Sequence, residues 1–82
     1  MKTSATQERI EICSQYKAEI NRILANRNNP QRIGFSFGKN VSNTIYLTQA
    51  TDGKVMGRIG DFNTSKEVEK TLRAILNFYN FI

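Results

Sequence analysis

Eighty-two residues leave room for one core and no second domain, and a chain this short buries only about 60% of the surface it would expose unfolded. With 39% hydrophobic and 23% charged residues the composition is globular. A single cysteine and no histidine exclude an intrachain disulfide and the usual zinc sites, and the net charge of +5 favours polyanionic or acidic partners.

From Ala5 to about Asn26, the apolar residues Ile10, Cys13, Tyr16, Ile20, Ile23 and Leu24 recur at spacings of three and four, which predicts an amphipathic helix. Thr3 or Ser4 can cap its start, and Asn26, Asn28, Asn29 and Pro30 mark its end. Arg32 to Gly38 alternates Ile33, Phe35 and Phe37 with small residues, the period of a strand with one buried face. Asn43 to Thr48 is a second strand, sending Ile45 and Leu47 one way and Thr44, Tyr46 and Thr48 the other. Asp52-Gly53 predicts a tight type I′ turn, with both central residues at positive φ. Lys54 to about Asp61 returns as a third strand, Val55 and Ile59 inward, Met56 and Arg58 outward, with Gly57 and Gly60 marking a bulge or a close approach of another backbone.

The third strand runs straight into a capped helix at Phe62 to Val68. Thr64 is placed to accept from the Glu67 N–H while the Glu67 carboxylate reaches back to the Thr64 N–H. Val68, Leu72, Ile75, Leu76 and Tyr79 then follow at helical spacing. The predicted fold is α+β, a helix, a three-stranded antiparallel meander and a helix (α-β-β-β-α), with both helices on one face of the sheet and residues 1–82 forming one domain.

The absence of histidine removes the commonest general base near neutral pH. Cys13 lies on the apolar side of its helix, where packing is the plain reading. No glycine opens a phosphate loop. The expectation is therefore a protein that is not an enzyme and uses neither cofactor nor metal. No run of about 20 apolar residues occurs, and the polar start of the chain does not read as a signal peptide, so a cytoplasmic location is expected.

The basic residues carry the functional expectation. Arg22, Arg27, Arg32 and Lys39 lie in a stretch, Ile20 to Asn40, that has no acid, and the intervening asparagines either contact phosphates and bases or simply form turns. Lys66, Lys70 and Arg73 form one stripe on the last helix: a row of phosphate contacts, or a solvated charged face beside Glu67 and Glu69. Tyr46 and Arg58 belong to the outer sheet face, which has a single aromatic for stacking. In the tail, Phe78, Phe81 and Ile82 either cap the core under the first helix or leave a patch for another protein, including a homodimer.

The strand-to-helix joint with Gly60, Phe62 and Thr64 gives residues 52–74 a local resemblance to the three-strand-plus-helix DNA-binding modules of plant ethylene-response factors and phage integrase arms. The element order resembles the double-stranded-RNA-binding domain, although Glu69 stands where that family prefers a lysine and the loop from Gly38 to Asn43 lacks its histidine. In size and style the chain is similar to small phage-encoded inhibitors of bacterial defence complexes, the anti-CRISPR type. The resulting expectation is a binding module for nucleic acid or a nucleic-acid-handling complex; the alternative is a phage-type protein inhibitor or adaptor acting by protein–protein contact.

Overall fold

The computed structural model describes residues 5–37 and 43–82, so the expected caps Thr3 and Ser4 and the cation Lys39 lie outside the described residues. The elements are α1 (Ala5–Asn26), β1 (Gln31–Ser36), β2 (Asn43–Gln49), β3 (Val55–Phe62) and α2 (Ser65–Phe81). The three strands form one antiparallel sheet in the order β1-β2-β3. This is the α-β-β-β-α arrangement of the α+β class.

The core is a single layer between helices and sheet. Cys13, Ile20 and Leu24 from α1 meet Ile33 of β1, Ile45 of β2, and Val68 and Leu72 of α2, all buried. Two contacts fix the relative direction of the helices. Arg9 Nη1 lies 3.4 Å from Glu69 Oε2 near their N-termini, and Arg27 Nη2 donates to the Tyr79 carbonyl at 3.0 Å near their C-termini. The helices therefore run parallel, as three intervening strands require.

Asparagines organise the exit from α1. Asn28 takes the left-handed conformation (φ 57°), its N–H donating to the Ala25 carbonyl while the Asn29 N–H donates to that of Leu24. This pair of bonds is the Schellman closure, with asparagine in the place glycine usually takes. Asn29 Oδ1 then accepts from the Gln31 N–H at 2.8 Å and turns the chain around Pro30 into β1. Asn21, one turn before the end of α1, receives the outer edge of that strand: its Oδ1 accepts from the Ile33 N–H at 2.8 Å and its Nδ2 donates to the Ile33 carbonyl at 3.1 Å.

Three local expectations are corrected. The β2–β3 connection is a four-residue loop, Ala50 to Gly53, closed by Gln49 N–H to the Lys54 carbonyl and Gly53 N–H to the Gln49 carbonyl. Gly53 alone is left-handed there (φ 70°), because the Asp52 carboxylate accepts from the Lys54 N–H at 2.9 Å and holds a wider turn than type I′. At the start of α2, Thr64 Oγ1 accepts from the Glu67 N–H as expected, but Glu67 Oε2 reaches the Asn63 N–H, one residue before the one anticipated. Finally, the register shifts twice along β3, so that Thr48 opposes Val55, Leu47 opposes Gly57, Tyr46 opposes Arg58 and Ile45 opposes Gly60. Met56 and Ile59 are the extra residues, and Val55 is thereby turned to the face of Thr48, away from the helices.

Candidate nucleic-acid interface

The sheet face away from the helices carries Arg32 on β1, Thr44, Tyr46 and Thr48 on β2, and Arg58 and Asp61 on β3. Gly34, opposite Tyr46, is bare for a reason: a Cβ there would sit 2.5 Å from Tyr46 Cε2 and 2.7 Å from Cζ. The ring lies across the glycine, filling the space that β1's small residues leave open. Arg58 is the cross-strand neighbour of Tyr46, and its Nη1 pairs with Asp61 Oδ2 at 3.1 Å. This face therefore holds one aromatic beside a cation that is already neutralised.

The expected corner at the end of α1 is internally committed. Arg22 Nη2 is 2.8 Å from Glu19 Oε2, a pairing that holds the Glu19 carboxyl below its ordinary range and pushes the guanidinium of Arg22 up. Arg27 bonds the Tyr79 carbonyl and stands 5.8 Å from the centre of the Tyr79 ring. Arg32 Nη1 donates to the carbonyls of Asn29 (2.7 Å) and Gln31 (2.6 Å). The asparagines between them form the helix exit. Arg22, Arg27 and Arg32 thus share one end of the molecule, but each is engaged with its own chain.

The stripe on α2 is arranged differently. Lys66, Lys70 and Arg73 are exposed, and among the described residues none is in an ion pair. The acids expected to neutralise them are engaged elsewhere, Glu67 with the Asn63 N–H and Glu69 with Arg9 of α1. Positions i, i+4 and i+7 fall on one side of a helix and span about 10 Å along its axis. Thr64, Lys66, Glu67, Glu69, Lys70 and Arg73 line a shallow depression of about 340 Å³ on this surface. Lys66 stands in the first turn of α2, where the unpaired N–H groups of the helix already make the field positive. A cation there works against helix stability.

No protein-family model, curated protein or solved structure matches this chain. The likenesses to DNA- and RNA-binding modules consequently rest on the local residues that suggested them. Among the described residues no group of three acidic or cysteine side chains is placed to hold a metal ion, and no helix is long and apolar enough to cross a membrane.

Sequence reasoning missed Asn21, although it carried a signal, a poor helix former between Ile20 and Leu24 on the buried arc. The bulge reading of Gly57 and Gly60 is met, since both register shifts fall beside them. The expectation that Phe78, Phe81 and Ile82 cap the core is overturned, since Phe81 is 93% exposed and Phe78 and Ile82 are also open. Tyr79 takes the inward position against Arg27. With Arg27 already past the last residue of α1, residues 80–82 project beyond the end of that helix.

Proposed function

We propose that the chain is a non-enzymatic module, working in the cytoplasm, that holds nucleic acid through its phosphate backbone with Lys66, Lys70 and Arg73. The observation that carries this is that, among the described residues, none of these three cations is in an ion pair, while the arginines at the α1 exit are tied to their own chain. A row of about 10 Å is long enough to reach more than one phosphate of a single strand. Backbone contact of this kind gives affinity without sequence preference.

Salt-titrated binding to a short duplex tests it. Each phosphate contact contributes about −0.9 to the slope of log K against log salt, so K66Q/K70Q/R73Q should reduce the slope's magnitude by about 2 to 3. Arg22→Gln should leave it nearly unchanged. Undetectable binding at low salt, or the same slope in the triple variant, removes the proposal. A second reading, an inhibitor or adaptor working by protein contact, is favoured by the exposure of Phe81 and Ile82. For that reading, Phe81→Ser abolishes capture of a protein partner while leaving the salt slope untouched.

A further inference from the structure

The two edges of the sheet are finished differently. On β1 the Asn21 amide occupies the backbone N–H and C=O of Ile33. Among the described residues no side chain bridges the outer edge of β3 in this way, and its first five residues are exposed, with Val55 59%, Met56 53% and Ile59 45% open. Beside this edge runs an apolar groove of about 430 Å³ between sheet and α2, whose lining includes Leu47, Ile59, Ala74, Ile75 and Phe78. It is open because β3 presents only Gly57 and Gly60 opposite Leu47 and Ile45; a Cβ added at Gly57 would meet nothing within 4 Å. An exposed apolar outer strand is a template for pairing with another chain.

We propose that the occupant of this edge is a second copy of the chain, with the two β3 strands antiparallel about a two-fold axis at the Ile59–Gly60 bond. The extra residue at Ile59 decides the register. Arg58 and Asp61 face away from the helices, opposite Tyr46 and Thr44, whereas Ile59 lines the groove and Gly60 lies opposite the buried Ile45. The facing along 58–61 is therefore palindromic: out, in, in, out. Turned about that axis, Arg58 meets Asp61 of the second copy, and Ile59 meets the bare Gly60. A bulge that would spoil pairing with a regular strand is matched by the same bulge in its copy. The interface is self-complementary in charge and in shape, as a two-fold contact must be. It joins the sheets into one of six strands with all four helices on the same side, closing each groove at its open edge.

The test is the mass of the full chain by sedimentation equilibrium from about 10 to 500 μM, without nucleic acid. The expected result is a species of twice the 9.4 kDa chain mass. Arg58→Asp or Asp61→Arg places like charges opposite each other twice across the axis and should weaken dimerisation about tenfold or more. R58D/D61R should restore it. Ile59→Lys, at a half-exposed position, should also give monomers, and circular dichroism checks that each variant keeps its helices. A single-chain mass throughout the range overturns the proposal. So does a dimer that the single reversals and Ile59→Lys leave intact, or a groove that takes up a different protein while the chain alone stays monomeric.

Discussion

Replacing Asn21 by alanine removes both bonds that tie the edge of β1 to α1, and the size of the effect follows from their surroundings. Each side-chain-to-backbone bond is worth about 1 kcal/mol net, and a buried backbone group left without a partner costs about 1–3 kcal/mol. Ile33 is buried and both bonds are partly shielded, so its N–H and C=O regain only part of what they lose from water. The expected loss is about 2–4 kcal/mol, against a total stability on the order of 4–12 kcal/mol for a domain of this length. With a urea m-value of about 1 kcal/mol/M, the unfolding midpoint should fall by about 2 M or more. Hydrogen exchange locates the damage, since the Ile33 amide should lose its protection ahead of the amides of β2. Asn21→Asp keeps the acceptor for the Ile33 N–H, sets a carboxylate against the Ile33 carbonyl, and should be no better than alanine. A midpoint shift under about 0.5 M with Ile33 protection unchanged would refute the reasoning, because it would mean that the amide bridge adds nothing to ordinary packing.

Thr64→Ala should cost about 1 kcal/mol in urea unfolding, the usual worth of a helix N-cap, whereas Thr64→Ser should cost little. The Tyr46 ring over Gly34 should shift the Gly34 α-protons upfield in the NMR spectrum; Tyr46→Leu removes that shift, and Gly34→Ala displaces the ring with a cost that vanishes in the Tyr46→Ala background. The Cys13 thiol, pushed up from its ordinary 9.0 to about 11 chiefly by burial, with Glu69 adding and Arg9 opposing, holds its proton longer folded than unfolded. Its contribution is therefore complete below pH 9 and is lost as pH rises toward 11, so between pH 8 and 10.5 the wild type should lose on the order of 1–2 kcal/mol more than Cys13→Ala. Equal losses in the two proteins would dismiss that account.

The elements were legible because each rests on local chemistry. Apolar spacing places α1 and α2, the alternation of Ile45 and Leu47 with Thr44, Tyr46 and Thr48 orients β2, and the Thr64 cap starts α2 at Ser65. β3 was misread in part because alternation presumes one residue per register step. Two extra residues send Val55 to the wrong side; Gly57 and Gly60 announce a bulge, but only pairing with β2 shows that Met56 and Ile59 are the residues left over. The candidate site was legible as a list of cations but not as a sorting of them. Which arginines are engaged depends on contacts such as Arg27 with Tyr79, 52 residues apart, and Arg9 with Glu69, 60 apart. Sequence pattern, which compares neighbours, is blind at that range.

The parallel pairing of the two helices has a consequence for how the chain is made. The strands follow one another as hairpins, so the sheet can close soon after each turn is synthesised. The partner of α1's apolar side, by contrast, is the last of these five elements in chain order, and until it is made Cys13 and Ile20 have only the sheet to cover them. A nascent chain halted at Asn63 thus exposes the surface that chaperones hold, and arresting translation before and after α2 would show that hold released over these 17 residues.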